Sequence, residues 1–195
     1  MVILRSTGGL EADEVISGNG VYLRHPVMAD YAEWASLRDQ SKDFLTPWEP
    51  VWPIDDLTRP AFRRRLRRYA RELRDDTSFP FFLFDRGTDK LIGSSIVSNV
   101  RRGVAQSCSL GYWVGETYSG KGYMTEAARA ILPFVFDRAG LHRIEAACLQ
   151  TNEPSRRLLK RVGFTEEGIA RKYLRINGDW QDHLLFAMLA SDPRP

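Results

Sequence analysis

The chain has 195 residues, of which 43% are hydrophobic and 27% charged, and it carries a formal net charge of +3. This length suits one well-buried domain, and no apolar run approaches the roughly 18 residues that span a bilayer, so we expect one domain, no membrane segment and a cytoplasmic location. Neither a disulfide scaffold nor a zinc site is expected. Cys108 and Cys148 lie far apart in apolar runs, and there are only three histidines.

The first elements along the chain are an arm, a strand and a helix. Residues 1–19 are predicted as a loose N-terminal arm and residues 20–195 as the domain, which begins with the strand VYLRHP. A helix is predicted from about Asp30, because Asp30 and Glu33 have the spacing that satisfies a helix N-terminus reciprocally.

A proline-rich loop and a second helix follow. Three prolines in residues 47–53 exclude a regular helix, so FLTPWEPVWPIDD is expected to be an ordered loop held by Trp48 and Trp52. PAFRRRLRRYARELR, residues 60–74, has the helical period. Its apolar stripe is Phe62, Leu66, Tyr69, Ala70 and Leu73, and arginines cover the rest.

The remaining pattern alternates strands with two further helices. FPFFLFD and KLIGSSIVSNV are predicted as an antiparallel hairpin and SCSLGYWVG as the next strand, followed by a helix that Gly140 ends. HRIEAACLQ is a strand, Asn152 and Gly163 bound a short helix, and Asn177-Gly178 predicts a hairpin. The fold class is therefore α/β, a single domain with a mixed, mostly antiparallel twisted sheet flanked by helices.

The stretch YSGKGYMTEAARA indicates an anion site, because glycines before a helix bring backbone N–H groups close to a ligand. A P-loop is excluded since residue 122 is Gly, where Ser or Thr would hold magnesium. A Rossmann fingerprint is excluded as well, because Thr125 stands in place of the third glycine. A plain strand-to-helix turn remains the alternative.

Taken together, GYWVGETYSGKGYMTEA and TNEPSRRLLKRVGF resemble the GNAT acetyltransferase superfamily, whose members bind acetyl-coenzyme A. FLTPWEP, LIGSSIVSNV, LHRIEA and YLRINGDWQDH are similar to segments of its Rim-type ribosomal-protein alanine N-acetyltransferases. The likeness covers roughly residues 20–190. It implies acetyl transfer from acetyl-CoA, without a metal, to a protein N-terminal α-amine.

The resemblance implies a set of cofactor-binding residues. The backbone of one strand would hold the pantetheine and stabilise the oxyanion, the loop amides would surround the pyrophosphate, and Asn152 would bond the pantetheine. These positions are Tyr112, Trp113, Val114, Ser119, Gly120, Lys121, Gly122, Tyr123, Met124 and Asn152.

Catalytic candidates are fewer. Glu49 in the proline-rich loop is the first candidate for the general base and Glu145 the second, although an α-amine with a pKa near 8 needs only a weak base or a water. Leu159 occupies the place of the tyrosine that many members use as general acid, so Ser155 is expected near the sulfur. Local helix capping by Asn152 and Ser155 is the alternative interpretation.

The acceptor and the partners stay open at this stage. A ribosomal protein N-terminus is the expected acceptor, and acetylation of a small amine such as an amino acid, polyamine or antibiotic is the alternative. The Arg63–Arg74 helix is either a solvated face or a contact for ribosomal RNA with steep salt dependence. A non-catalytic module that binds coenzyme A and ribosomes is the third hypothesis.

Overall fold

The computed structural model describes residues 14–194, so most of the predicted N-terminal arm lies outside the described residues. Within this range one eight-stranded sheet has the order β1-β2-β3-β4-β5-β6-β8-β7. Its strands are β1 Val15–Ser17, β2 Val21–Arg24, β3 Phe79–Asp85, β4 Leu91–Arg101, β5 Ser107–Val114, β6 Arg143–Leu149, β7 Thr165–Ile176 and β8 Asp179–Leu189. Among the strands of residues 14–194 only β5 and β6 pair in parallel, which confirms the predicted α/β class and mostly antiparallel sheet.

Helices cover both faces of the sheet. They are α1 Tyr31–Gln40, α2 Lys42–Leu45, α3 Arg59–Arg74, α4 Tyr123–Pro133 and α5 Glu153–Val162. On one face, Trp34 of α1 and Phe62 of α3 pack with Phe82 of β3. On the other, α4 and α5 pack over the central strands, with Ile131 and Leu159 in the larger apolar cluster. The sheet therefore separates an α1/α3 face from an α4/α5 face.

The arginine-rich helix α3 forms as predicted. Thr58 caps it by accepting a hydrogen bond from the Ala61 N–H at 3.3 Å. Phe62 and Tyr69 are buried, whereas Ala70, assigned to the apolar stripe from its spacing, is exposed. Leu66 and Leu73 are half-buried and pack against the apolar clusters, so four of the five stripe positions contribute to the packing of this helix.

Three local predictions need correction. The Asp30–Glu33 reciprocal cap does not form: Asp30 accepts from the Val27 N–H, and Glu33 accepts from the Leu91 N–H of β4. The segment predicted as a loop from residue 44 begins helically, because α2 runs to Leu45 and a 3-10 turn continues to Trp48. The end of the stretch predicted as a loose arm is ordered, since strand β1 lies within it and pairs with β2.

The functionally important feature of the sheet is a gap between β5 and β6. These strands pair only where Ser107–Ser109 lie beside Arg143–Glu145, although β5 continues to Val114 and β6 to Leu149. A parallel pair that separates in this way leaves its backbone N–H and C=O groups without ladder partners along both edges.

The direction of the unpaired groups follows from strand alternation. The Gly115 N–H bonds to Ile92 of β4 at 2.9 Å, whereas the Gln106 carbonyl accepts from Arg143 on the β6 side at 3.1 Å. Because successive residues turn their backbone groups to opposite edges of a strand, those of residues 110, 112 and 114 face the gap. The backbone of Trp113 faces β4 instead.

Candidate active site

A cleft of about 720 Å³ occupies the gap between β5 and β6. One side is formed by the N-terminal ends of α4 and α5. The other is formed by the α2 segment with the proline-rich loop and by the β7–β8 hairpin. The hairpin turns at Asn177 and Gly178, both at positive φ (45° and 91°), as their sequence predicts. The cleft therefore passes through the sheet from the α4/α5 face to the α1/α3 face.

The glycine-rich loop ends at the N-terminus of α4. Gly120 and Gly122 have φ of 74° and 85°, conformations that L-residues rarely adopt, so the loop depends on glycine at both positions. The first backbone bond of α4 runs from Glu126 to Gly122 at 3.1 Å. The N–H groups of Tyr123 and Met124 therefore precede the intrahelical bonds and are free for an anion.

Ser119 and Lys121, both predicted to bind the pyrophosphate, have other contacts in the structure. The Ser119 N–H donates to the Glu116 carbonyl at 3.0 Å, so it serves the loop itself. Lys121 is exposed, and its ammonium lies 5.8 Å from the centroid of the Tyr118 ring. Two arginines of α5 that sequence reasoning did not identify, Arg157 and Arg161, line the cleft and add positive charge there.

Asn152 and Ser155 lie together at the start of α5. The Asn152 Oδ1 accepts from the Ser155 N–H at 3.1 Å, which is an N-cap bond. The Ser155 hydroxyl lies 2.7 Å from the Tyr112 hydroxyl of β5. Tyr112 and Ser155 both line the cleft, so this hydroxyl pair lies at the gap.

The hydroxyl of Tyr112 is a polar group of the cleft that the sequence did not indicate. Tyr112 lies in an apolar strand, so only its backbone was expected to bind the cofactor. Burial raises the pKa of Tyr112 well above its usual range, and the hydrogen bond with Ser155 opposes that shift. The phenol therefore keeps its proton at neutral pH and can donate it. Leu159 is fully buried in the core and does not replace this group.

Glu49 is held by a clamp rather than left free in the cleft. Both of its carboxylate oxygens accept from Arg38, at 2.8 and 2.7 Å, and the Trp52 indole N–H donates to one of them at 2.7 Å. The Arg38 guanidinium also stacks 4.0 Å from the Trp52 ring centroid and 4.9 Å from that of Trp113. The clamp fastens the proline-rich loop to α1 and to β5.

Glu145 points away from this cleft. Its carboxylate accepts from Arg143 at 2.8 Å and from Arg101 at 3.1 Å, and its side chain lines a second cleft on the α1/α3 face. Of the two carboxylates considered as a base, only Glu49 lines the gap between β5 and β6.

A histidine that sequence reasoning missed also lines the gap. His183 of β8 is 2% exposed, and its Nδ1 lies 2.9 Å from the Gln181 carbonyl oxygen. A ring nitrogen beside a carbonyl must donate, so Nδ1 carries the hydrogen and Nε2 is the accepting atom of the neutral ring. Nothing in the sequence marks His183 as a site residue except that it follows the Asn177-Gly178 turn.

The arrangement of gap, glycine loop and capped helix can be compared with known proteins. The model of the acetyltransferase (GNAT) domain matches residues 21–165. The chain belongs to the GNAT acetyltransferase family. The resemblance, the fold and the enzyme class predicted from the sequence are thereby confirmed.

Curated relatives span nearly the whole chain. The probable N-acetyltransferase YjcK of Bacillus subtilis is 35% identical over 178 residues, which cover 91% of this chain and 98% of that protein. The ribosomal protein uS5-alanine N-acetyltransferase of Escherichia coli is 37% identical over 156 residues, 80% of each chain.

A solved structure gives the same fold with a ligand of the expected chemistry. Mycobacterium smegmatis RimJ in complex with CoA-disulfide is 35% identical and superposes with a TM-score of 0.83, covering 90% of this chain and 84% of that one. In residues 14–194 no helix is long and apolar enough to cross a membrane. The same residues contain no group of three His, Cys, Asp or Glu side chains that could hold a metal ion.

The clamp around Glu49 generates a stability prediction. We expect Glu49→Gln to lower the free energy of unfolding by about 2 kcal/mol, because it leaves the buried Arg38 guanidinium without its carboxylate. Urea denaturation of the purified variants measures this. Glu116→Gln, at an exposed position near the same cleft, is the matched control and should change stability by less than about 0.5 kcal/mol. Equal effects of the two substitutions would contradict the clamp.

Proposed function

We propose that this N-acetyltransferase transfers the acetyl group of acetyl-CoA to the α-amine at a protein N-terminus, with the N-terminal alanine of a ribosomal protein as the acceptor. The observation that carries the proposal is the gap between β5 and β6, which joins an anion-binding helix terminus on one face to an open cleft on the other. The acceptor class is supported by the 37% identical relative named for uS5-alanine acetylation.

The donor occupies the α4/α5 side in this proposal. The N–H groups of residues 120–124 bind the pyrophosphate at the positive end of the α4 dipole, and Arg157 and Arg161 add charge at the rim. The free backbone groups of Tyr112 and Val114 bond the pantetheine amides. One backbone N–H of β5 then stabilises the oxyanion, a contribution of about 3 kcal/mol to the barrier.

The chemical step is a direct transfer. The neutral acceptor nitrogen attacks the thioester carbonyl carbon, the C–S bond breaks, and the sulfur leaves as a thiolate. The nitrogen loses one proton and the sulfur gains one, so atoms and charge balance without a metal or an oxidant. The protein supplies orientation, an oxyanion donor and the two proton transfers.

We assign the proton transfers to groups at the two ends of the gap. The hydroxyl pair of Tyr112 and Ser155 protonates the leaving thiolate, and Nε2 of His183 takes the amine proton. Glu49 acts as a positioning residue, because Arg38 and Trp52 already occupy its oxygens. Glu145 has no part in the chemical step.

The lining of the cleft favours an uncharged acceptor residue over a polyamine. The acceptor side is mostly apolar; its lining residues include Phe44, Leu45, Trp48, Pro50, Leu174 and Ile176. Among the described residues that line the cleft, Glu49 is the only carboxylate, and Arg38 neutralises it. A polycation would find no free negative charge here, whereas a small side chain such as alanine would be accommodated.

Acetylation of defined peptides tests the proposal. The protein is incubated with acetyl-CoA and with peptides that differ only in the first residue, and the mass increase of one acetyl group is measured. We expect transfer to the α-amine of the alanine peptide, and faster transfer there than to spermidine or free alanine. Transfer to small amines alone would contradict the proposed acceptor class.

The proton assignments predict a specific pH dependence. His183→Gln should lower kcat/KM at neutral pH by about 100-fold, and the loss should shrink above pH 8 as the acceptor amine deprotonates by itself. The raised pKa of Tyr112 keeps it protonated, so the wild-type profile should rise to a plateau without a falling limb below about pH 10. Glu49→Gln is the control, since a positioning residue lowers the rate without changing the profile. A pH-independent loss in His183→Gln would refute its role as the base.

We further propose that one face of α3 contacts ribosomal RNA. Arg63, Arg67 and Arg71 recur every four residues and are exposed, and no carboxylate in the described part of the chain pairs with them. Four other α3 arginines differ, since ion pairs join Arg64 to Asp55, Arg65 to Asp56, Arg68 to Glu72 and Arg74 to Asp75.

The two sets of arginines provide a matched comparison. Replacing Arg63, Arg67 and Arg71 with Gln should remove about three units from the slope of log affinity for RNA against log salt, because each cation releases about one counterion. The same change at Arg64, Arg65 and Arg68 should remove less. Filter binding to ribosomal RNA over a salt series measures the slopes. Equal slopes in the wild type and the first variant would contradict the RNA contact.

A further inference from the structure

A second cleft of about 770 Å³ lies beside the first, on the α1/α3 face of the sheet. Its lining residues come from the C-terminal half of α3 and from β4, β5, β6 and β7. No group assigned to the chemical step lies in it. We call it the trough; Arg68, Ser98, Arg101, Ser109, Glu145 and Tyr173 are among its walls and floor.

The floor of the trough continues into the reaction cleft. On β5, Ser109 lines the trough and Gly111 lines the reaction cleft. On β6, Glu145 lines the trough and Ala147 the reaction cleft. Residues two apart on a strand share one face and lie about 7 Å apart, so the two clefts meet within a single step along the sheet.

Small side chains keep this floor open. Gly111 pairs with Ile96, and Ser109 pairs with Ser98, so three of these four positions on β4 and β5 carry a small side chain or none. An alanine side chain at position 111 would meet no atom within 4 Å. On this face of the sheet the large buried aromatic side chains lie under α1 and α3. The strip of β4 and β5 nearer the β7–β8 hairpin lies outside that cluster and is open.

The walls of the trough are charged and polar. Arg101 pairs with Glu145 at 3.1 Å on one side, and Arg68 pairs with Glu72 at 3.4 Å on the other. Tyr173 of β7 completes the wall and contacts the His183 ring edge-on, with 5.8 Å between centroids. Such walls suit the backbone and polar side chains of an extended polypeptide.

We infer that the trough binds the acceptor polypeptide downstream of its reacting amine. The inference rests on the proposed function and extends it. An extended chain advances about 3.3–3.6 Å per residue, so the 7 Å step corresponds to about two residues. The first two acceptor residues then occupy the reaction cleft, and roughly the third to fifth lie in the trough. The enzyme thus selects an unfolded protein N-terminus over a free amino acid or a dipeptide.

Acceptor length tests the inference. We measure kcat/KM for a dipeptide amide and for an octapeptide that begins with the same two residues. In the wild type the octapeptide should be better by about tenfold, which equals 1.4 kcal/mol of added binding. Ser109→Phe places a ring on the floor of the trough and should abolish that gain, while the dipeptide rate stays unchanged and shows that the variant is folded.

Two further variants sharpen the experiment. Thr165→Phe, at an exposed position of β7 outside both clefts, is the control and should keep the length dependence. Arg101→Glu makes one wall acidic without filling the trough. Compared with the wild type, this variant should shift kcat/KM toward octapeptides with lysine at positions three to five and away from those with glutamate.

The outcomes distinguish failure of the trough from failure of the proposed function. Equal kcat/KM for the dipeptide and the octapeptide in the wild type would overturn the trough and leave the proposed function standing. A loss of both activities to the same extent in folded Ser109→Phe would also count against it. Absence of transfer to either peptide would instead overturn the proposed function.

Discussion

The separation of two parallel strands, β5 and β6, shapes the whole site. β5 and β6 pair over three residues and then diverge, although each continues for several more. Unpaired strand edges inside a domain are costly unless something bonds them, because buried backbone groups need partners. The gap therefore calls for a ligand with amide groups, and pantetheine in acetyl-CoA has that chemistry. At the same gap α4 places an N-terminus with free N–H groups, and α5 begins beside it with its first N–H groups already bonded.

The opposite wall of the gap is held by electrostatics. The Glu49 carboxylate, the Arg38 guanidinium and the Trp52 indole form one bonded group that also stacks on Trp113 of β5. A loop with three prolines in seven residues cannot hold itself by a backbone ladder, so side chains fix it. The Glu49 carboxylate, which the sequence suggests as a base, is thus bonded into the scaffold, and for this reason we propose other groups for the proton transfers.

Local rules made much of the fold predictable from the sequence. Gly120 and Gly122 occupy positive φ, Asn152 caps α5, and Asn177-Gly178 closes a hairpin, since each depends on residues close in the chain. The contact between Tyr112 and Ser155 spans 43 positions, and the clamp joins Arg38 to Glu49 across two helices. His183 reaches the gap only because β8 inserts between β6 and β7. Contacts of this kind depend on the order of the strands in the sheet and on their register, and the periodicity of the sequence specifies neither.

Amide hydrogen exchange with and without coenzyme A tests whether the unpaired edge of β5 and the N-terminus of α4 bind the cofactor. In the free protein the Cys108 N–H lies in the paired part of β5, whereas those of Tyr112 and Val114 face the gap. Saturating coenzyme A should slow exchange at Tyr112, Val114, Tyr123 and Met124 by at least about tenfold and leave Cys108 unchanged. Binding of coenzyme A with no added protection at these four amides would show that the cofactor does not occupy the gap.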